Sequence, residues 1–199
     1  MTRVVAGAAR GRRLVVPVGK ATRPTSDRAR EGLFSTVEAM RGTVAGCRFL
    51  DLYAGSGAVG LEALSRGAAH VLLVENERRA LAACQANVTA VALAGAQVRA
   101  VAAERLAAAP AGGDGYDVVV LDPPYSLAAA DLAAVVSDLA SHGWLRPAAV
   151  VVVERSTRDG EWTWPGAIGP DRSRRYGEAT LWYGRAAGGS DGPGPGPTD

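Results

Sequence analysis

The sequence predicts an α/β fold in which helices cover both faces of a mainly parallel, seven-stranded sheet. Strand-like and helix-like segments alternate between residues 48 and 154, and this alternation is typical of parallel sheets. The runs 118–121 and 150–153 are almost entirely apolar, as expected for central strands that are buried on both faces. The predicted strands cover residues 48–53, 70–75, 97–101, 116–121 and 148–154, and the predicted helices cover residues 58–66, 77–92, 104–108 and 127–141.

A short basic segment precedes the alternating part of the chain. Residues 3–6 and 13–18 are short β-like runs, and Gly7 and Gly11 lie between them. This pattern predicts a small β-hairpin, and we expect residues 1–22 to form an N-terminal extension.

A helix is predicted to follow this extension and to reach about residue 40. Pro24 interrupts the extended chain, and Thr25 or Ser26 offers a hydroxyl group that can cap the helix. Asp27 then places a negative charge at the positive end of the helix dipole.

The pattern changes again toward the C-terminus. Residues 172–176 and 179–185 look like two strands that turn near Gly177, which predicts an antiparallel hairpin at the end of the sheet. The main domain is therefore expected to span residues 23–185. Residues 186–199 are rich in glycine and proline, and we expect them to be disordered.

The composition is that of an ordinary globular protein. The 199 residues are 48% hydrophobic and 21% charged, which suits one domain with its own core. No apolar run approaches the roughly 20 residues that a membrane span requires, and no apolar segment follows the N-terminal arginines as in a signal peptide. Cys47 and Cys84 are too isolated to predict disulfides or a metal site. We therefore expect a cytoplasmic protein without a metal, and a monomer.

Positive charge is concentrated at the N-terminus. Residues 1–30 contain eight basic side chains and one acid, a net charge of +7, although the whole chain carries only +2. Such a basic block indicates a polyanion partner, with a solvated arm as the alternative. Arginines on the predicted late hairpin could also contact phosphates, or could protect a sheet edge from pairing. The candidate nucleic-acid contacts are Arg3, Arg10, Arg12, Arg13, Lys20, Arg23, Arg28, Arg172, Arg174 and Arg175.

A glycine-rich turn lies between the strand at residues 48–53 and the next helix. Gly55 and Gly57 have no side chains, so the backbone can approach a ligand closely and the turn amides can bind a carboxylate. In an open α/β sheet this turn lies at the carboxyl ends of the strands, where ligands bind. Glu75 ends the next predicted strand, and its carboxylate can accept hydrogen bonds from both hydroxyls of a ribose.

The glycine turn alone does not identify the ligand. Gly55-x-Gly57-x-x-Gly60 also matches the dinucleotide fingerprint, and the glycines could simply let a helix pack on a strand. Asp51 favours S-adenosylmethionine, because its carboxylate can bind the amino group of the methionine part and would repel a pyrophosphate. The candidate cofactor residues are Asp51, Tyr53, Ala54, Gly55, Gly57, Glu75, Asn76, Ala103 and Glu104.

The sequence Asp122-Pro123-Pro124-Tyr125 follows a predicted buried strand. Two prolines fix the backbone and have no N–H, so the carbonyls can point into a site. An exocyclic amino group of a base is a poor nucleophile, because its lone pair is delocalised into the ring. The Asp122 carboxylate and the Pro123 carbonyl can accept its two N–H groups and stabilise the positive charge that develops. Tyr125 can stack on the unstacked target base, and all four residues are candidate catalytic groups.

These residues leave the acceptor nitrogen open. Adenine N6, guanine N2 and a glutamine amide nitrogen all suit the same arrangement, and in a purely structural role Asp122 would cap a helix. The motif has no part in hydride transfer, and it lies about 70 residues after the glycine turn on the same predicted sheet. Together the two features predict methyl transfer to an amino nitrogen.

Three blocks of sequence resemble the RsmD-type 16S ribosomal RNA guanine-N2 methyltransferases. They are residues 23–31, 51–67 and 122–125, and the likeness extends over about residues 2–185. The resemblance implies a Rossmann-like class I methyltransferase fold. It also implies a bacterial cytoplasmic enzyme that methylates one guanine N2 of 16S ribosomal RNA within the small ribosomal subunit or a late assembly intermediate.

The resemblance also implies roles for individual residues. Asp51, Gly55, Gly57 and Glu75 would bind S-adenosylmethionine, and the Asp-Pro-Pro-Tyr sequence would catalyse the transfer. Such enzymes often place an acid after the third strand for the adenine amino group. Here that role falls to Glu104 or to a backbone contact at Ala103.

Three other functions fit parts of the sequence. An adenine-N6 or glutamine-N5 methyltransferase would share the catalytic motif. A non-catalytic ribosome-assembly factor would use the basic arm to bind RNA, and a nicotinamide-dependent oxidoreductase would use only the glycine turn. No Ser-His-Asp group and no metal-ligand spacing stands out in the sequence.

Overall fold

The computed structural model describes residues 2–17 and 26–188. Its strands are β1 (Thr2–Arg3), β2 (Arg13–Leu14), β3 (Arg48–Leu52), β4 (His70–Glu75), β5 (Ala96–Ala100), β6 (Tyr116–Leu121), β7 (Leu145–Ser156), β8 (Ile168–Tyr176) and β9 (Ala179–Ala186). Its α-helices are α1 (Asp27–Arg41), α2 (Ala58–Ser65), α3 (Arg78–Val91), α4 (Ala103–Ala107) and α5 (Ala129–Ser141).

The main sheet has seven strands in the order β5-β4-β3-β6-β7-β9-β8. The first five strands are parallel, and β9 and β8 complete the sheet as an antiparallel hairpin. The carboxyl ends of the parallel strands therefore meet at one edge, which we call the carboxyl edge. Because β8 is antiparallel to β9, its last residues also reach this edge. The predicted sheet and its C-terminal hairpin are confirmed.

The central strands are buried on both faces, as their apolar sequences predict. Val118 and Val120 of β6 pack in a core with residues of α1, α2 and α3. Val119 and Leu121, which point to the opposite face, pack in a second core with residues of α4 and α5. Because successive side chains of a strand point to opposite faces of the sheet, β6 contributes to both hydrophobic cores.

Two strands begin three or more residues earlier than the sequence predicts. β8 begins at Ile168 rather than near residue 172, and its register shifts between Pro170 and Arg172. An edge strand tolerates such a proline, because one side of its backbone is not needed for pairing. β7 begins at Leu145 rather than at residue 148, and the opposing strand β6 has a register shift between Tyr116 and Val118.

Helix α1 is capped by one of the two hydroxyl residues that the sequence offers. Ser26 Oγ accepts a hydrogen bond from Ala29 N at 3.1 Å, and Asp27 lies in the first turn. The helix continues to Arg41 and ends at Gly42, which has a φ of 95°. The other capping candidate, Thr25, lies outside the described residues.

The N-terminal arm (residues 2–17) forms the predicted hairpin, but its two strands have only two residues each. The buried Glu62 carboxylate of α2 accepts hydrogen bonds from Val5 N at 2.6 Å and from Ala6 N at 2.9 Å. Ser65 Oγ accepts another from Ala9 N at 2.9 Å. A Cβ atom at Gly7 would lie 1.8 Å from the Ser65 carbonyl oxygen, so only glycine allows the arm to dock this closely.

One of the eight basic residues in the N-terminal block is not on the surface. Arg30 is fully buried, with its guanidinium 2.8 Å from Asp27 Oδ1 and 3.9 Å from Glu62 Oε2. The Arg30 guanidinium also donates to the Arg3 carbonyl. The charge of this residue therefore stabilises the docked arm and is not available to a partner.

Some features of the sequence cannot be compared with the structure. Lys20, Arg23 and residues 189–199 lie outside the described residues, and the expected domain boundaries at residues 22 and 186 stay predictions. Within residues 2–17 and 26–188, no helix combines the length and the apolar character needed to cross a membrane. The same ranges contain no group of three or more His, Cys, Asp or Glu side chains that could hold a metal ion.

Candidate active site

Three acids converge where three neighbouring strands end at the carboxyl edge. β3 lies between β4 and β6 and pairs in parallel with both. Asp51 is the penultimate residue of β3, Glu75 is the last residue of β4, and Asp122 directly follows β6. The carboxylates of Asp122 and Glu75 are close enough to raise the pKa of Asp51. The sequence motifs thus meet in one site.

The Asp51 carboxylate is nearly inaccessible to solvent, with 2% of the residue exposed. Burial raises its pKa from 3.8 to about 7, the neighbouring acids add to this effect, and a hydrogen bond from Gly60 N at 2.8 Å opposes it. A positive charge beside Asp51 would lower this pKa and stabilise the ionised carboxylate. The site is therefore suited to a cationic ligand.

The glycine turn requires its glycines for two different reasons. Gly55 and Gly57 have φ angles of 57° and 78°, a left-handed conformation that side chains disfavour. Gly60 is needed for close packing, because a Cβ atom there would lie 2.5 Å from Leu73 Cδ2. The amide groups differ from the sequence expectation. Gly55 N donates to Glu75 Oε2 and Gly57 N donates to the Ala54 carbonyl, so neither is directed freely at a ligand.

Glu75 already holds three backbone amides. Its Oε2 accepts from Gly55 N, and its Oε1 accepts from Asn76 N and Glu77 N, each at 2.8 Å. A carboxylate has about four lone-pair positions. Binding of both hydroxyls of a ribose therefore requires that one of these amide contacts opens.

Tyr53 connects the end of β3 to α4. Its phenol donates to Glu104 Oε1 at 2.8 Å, which places Glu104 beside the glycine turn. The residue before Glu104, Ala103, is buried. Burial, followed by this hydrogen bond, raises the pKa of Tyr53 well above its usual range, so the phenol stays protonated at neutral pH. The backbone of Tyr53 has a φ of 60°, which is a strained conformation for a tyrosine.

The Asp122-Pro123-Pro124-Tyr125 sequence forms a loop at the end of β6. Asp122 N donates to the Leu52 carbonyl in a long hydrogen bond of 3.4 Å, which keeps the start of the loop next to β3. The Pro124 carbonyl accepts from Leu127 N at 2.9 Å, whereas no amide in the described part of the chain donates to the Pro123 carbonyl. Pro123 is buried and Tyr125 is 53% exposed. The loop thus exposes one aromatic ring at its end, and its Pro123 carbonyl has no backbone donor within the described residues.

A pocket of about 370 Å³ opens beside Tyr125. Its remaining lining residues come from the end of β7, from the segment that follows β7 and from the turn between β8 and β9, and they are Ser156, Arg158, Asp159 and Glu178. In the strand order, β7 and β9 lie on the opposite side of β6 from β3 and β4. The pocket and the glycine turn therefore lie on opposite sides of the Asp122–Tyr125 loop.

Known proteins share this sequence and architecture over nearly the whole chain. The family model described as Conserved hypothetical protein 95 matches residues 2–185. Ribosomal RNA small subunit methyltransferase D of Escherichia coli (strain K12) is 33% identical over 191 residues, which cover 95% of this chain and 93% of that protein. The chain belongs to the RsmD family.

Solved structures extend this comparison to three dimensions. The Escherichia coli protein yhhF is 31% identical with a TM-score of 0.79, and the match covers 93% of the RsmD-type chain and 97% of yhhF. A Thermus thermophilus protein, TTHA0928, is 33% identical with a TM-score of 0.75, over 92% and 98% of the two chains. Magnesium protoporphyrin IX methyltransferase from Synechocystis PCC 6803 is only 15% identical, but its TM-score of 0.63 over 80% of this chain and 79% of that chain supports the Rossmann-like class I fold.

Arg155 is a candidate site residue of this RsmD-type chain that sequence reasoning missed. The residue is 6% exposed. One guanidinium nitrogen donates to the Leu127 carbonyl at 2.9 Å, and another lies 2.8 Å from Asp159 Oδ2. Arg155 thus joins the segment after Tyr125 to the wall of the pocket. Its position at the end of an apolar strand, where site residues gather, was the signal that could have identified it.

The candidate RNA contacts of the RsmD-type chain lie in two exposed groups, apart from Arg28, which is exposed on α1. The arm carries one group, in which Arg12 also donates to the Ala90 carbonyl at 2.7 Å and Arg3 pairs with Asp27 at 3.3 Å. The other group lies on β8, the outermost strand of the sheet, whose last residues reach the carboxyl edge. The candidates that lie within the described residues are Arg3, Arg10, Arg12, Arg13, Arg28, Arg172, Arg174 and Arg175.

Proposed function

We propose that this chain transfers a methyl group from S-adenosylmethionine to the N2 amino group of a guanine in 16S ribosomal RNA of the small ribosomal subunit. The convergence of Asp51, Glu75 and Asp122 carries the proposal, because three acids around one position favour a cationic methyl donor. The name of the Escherichia coli relative supports small-subunit ribosomal RNA as the substrate. Guanine N2 rests on the sequence resemblance to the family.

The residues at the glycine turn fit this cofactor. When bound, S-adenosylmethionine supplies a methyl group on a positively charged sulfur. Asp51 would hold the ammonium group of the methionine part, and Glu75 would hold the ribose after release of one amide contact. Glu104, or the backbone at Ala103, would contact the adenine. The positive end of the α2 dipole, next to the turn, favours the carboxylate.

Asp122 and Pro123 would activate the acceptor nitrogen. Their carboxylate and carbonyl oxygens accept the two N–H groups of guanine N2 and direct its lone pair at the methyl carbon. Bound S-adenosylmethionine would supply the methyl group, and its sulfur would keep the S–C electron pair. The Asp122 carboxylate would stabilise the positive charge that the nitrogen gains and would accept the proton that it then loses. Orientation and electrostatic stabilisation supply the rate enhancement.

Tyr125 and its pocket would receive the target base. An exposed aromatic ring can stack on a base that has left its helix. The pocket lies on the other side of the Asp122–Tyr125 loop from the glycine turn. Donor and acceptor would then reach the Asp122–Tyr125 loop from different sides. The arginines of the arm and of β8 would bind RNA phosphates around this entrance.

Transfer of labelled methyl groups tests the proposal. Small ribosomal subunits from a strain that lacks the gene are incubated with the purified protein and labelled S-adenosylmethionine, and the RNA is digested to nucleosides. We expect label in N2-methylguanosine, and none with the Asp122→Ala variant. Label in N6-methyladenosine or in protein would contradict guanine specificity. Parallel reactions with naked 16S RNA compare the free and assembled substrates.

A further inference from the structure

The buried side chain of Asn87 joins two segments that are distant in sequence. Asn87 lies in α3 and is 1% exposed. Its Nδ2 donates to the carbonyl groups of Val15 and Ser56, both at 2.8 Å, and its Oδ1 accepts from Val15 N at 2.8 Å. Only an NH₂ group can bind two carbonyls, so these contacts also fix the orientation of the carboxamide. Asn87 thus connects the N-terminal arm to the glycine turn.

The bond to Ser56 holds the carbonyl end of a peptide group within the glycine turn. The Ser56 carbonyl and the Gly57 N–H belong to the same peptide, and Gly57 has a left-handed conformation. Gly57 N donates to the Ala54 carbonyl at 2.7 Å, and Asn87 holds the carbonyl end. Both ends of this peptide are therefore fixed, and with them the shape of the turn.

The arm in turn orients Asn87. The N–H and the carbonyl of Val15 both bind the carboxamide, and two contacts to one planar group fix its plane. The side chain of Val15 is not involved, since Val15 is 60% exposed. The chain of contacts runs from the Val15 backbone through Asn87 to the Ser56–Gly57 peptide.

We propose that the N-terminal arm is part of the cofactor site, because Val15 orients Asn87 and Asn87 holds the glycine turn in its binding conformation. Both are positioning groups, and neither touches the cofactor. The inference rests on the proposed binding of S-adenosylmethionine at this turn. Thermodynamic linkage then requires that docking of the arm and binding of the cofactor strengthen each other.

Substitutions at Val15 test this proposal from the arm side. In the full-length protein, Val15→Pro removes the N–H that donates to Asn87 and leaves Asn87 and the turn unchanged. Val15→Ala keeps both backbone groups and is the matched control. By calorimetry, we expect S-adenosylhomocysteine to bind roughly threefold to tenfold more weakly to Val15→Pro and to Asn87→Ala, and with unchanged affinity to Val15→Ala. Thermal unfolding establishes that each variant is folded at the temperature of the titration.

A double variant separates positioning from general loosening of the fold. If Val15 acts through Asn87, Val15→Pro adds no further loss of affinity in the Asn87→Ala background. In hydrogen exchange, S-adenosylhomocysteine should also slow exchange of the arm amides in the wild-type protein and not in Asn87→Ala. Equal affinities for all variants, or losses that add in the double variant, would overturn the inference. Failure of the wild-type protein to bind S-adenosylhomocysteine would instead contradict the proposed function.

Discussion

The Asp51 carboxylate accepts a hydrogen bond from Gly60 N at 2.8 Å, which joins the end of β3 to the first turn of α2. Burial nevertheless raises the pKa of Asp51 from 3.8 to about 7. Between these two values the folded protein binds more protons than the unfolded chain does. The contribution of Asp51 to the free energy of unfolding is therefore fully present below pH 3.8 and is lost as the pH rises through about 7.

This shift predicts opposite pH dependences for stability and for cofactor binding. As the pH rises toward 7, urea unfolding of the cofactor-free protein should lose a stabilising contribution that Asp51→Asn does not lose. Over the same range, S-adenosylhomocysteine should bind more tightly to the wild-type protein, because ionised Asp51 holds its ammonium group. Unfolding curves and calorimetry at several pH values measure both effects. Identical pH profiles for the wild type and Asp51→Asn would show that Asp51 does not titrate in this range.

Removal of the Asp122 carboxylate should abolish most of the catalysis without removing the cofactor. For Asp122→Ala we expect the single-turnover rate of methyl transfer to fall by about 100-fold or more, because the amino nitrogen loses one of its two acceptors. Affinity for S-adenosylhomocysteine should stay near that of the wild type. Asp131→Asn, at an exposed acid in the first turn of α5, is the control and should keep the full rate. A wild-type rate for Asp122→Ala would remove Asp122 from the mechanism.

The ring of Tyr125 should contribute to RNA recognition and not to cofactor binding. Stacking is worth roughly 1–3 kcal/mol, so Tyr125→Ala should lower kcat/KM for small subunits by about fivefold to 100-fold. Tyr125→Phe keeps the ring and should retain most of the activity. Steady-state kinetics with varied RNA and varied cofactor separate the two substrates. Equal damage from Phe and Ala would assign the role to the hydroxyl instead.

Reversal of charge on β8 should weaken RNA binding in a salt-dependent way. Arg174→Glu combined with Arg175→Glu is expected to raise KM for the small subunit and to reduce the slope of affinity against salt by about one per lost phosphate contact. Arg99→Glu combined with Arg105→Glu, at two exposed residues outside the candidate surface, changes the net charge by the same amount and is the control. If both variants have the same effect, the arginines of β8 act only through net charge.

The sequence predicted the parts of the site that local patterns encode. Asp51 and the glycine turn, Glu75, and the Asp122 loop each follow an apolar strand, and parallel strands end at one edge. Their convergence therefore follows from the fold class. The turn of the C-terminal hairpin near Gly177 could be predicted, but the first residue of β8 could not. Pro170 looks like the end of a strand in the sequence, although an edge strand tolerates it.

The features that the sequence did not predict depend on contacts between segments that are distant in the chain. Glu62 binds amides 56 and 57 residues away, and Asn87 binds a segment 72 residues away. The burial of Arg30 likewise depends on the docked arm, and nothing in its local sequence distinguishes it from the other arginines around it. The hydrogen bond from Gly55 N to Glu75, 20 residues away, was not predicted for the same reason, because this acceptor is set by how β4 packs beside the turn.

Mapping of methylated nucleotides in 16S ribosomal RNA tests the central claim most directly. The RNA is compared from cells with the gene, without it, and with the Asp122→Ala gene. We expect one guanine to lose its N2-methyl group in the deletion strain, to regain it with the wild-type gene, and to stay unmodified with Asp122→Ala. An unchanged methylation pattern in all three strains, or restoration of the methyl group by Asp122→Ala, would contradict the account.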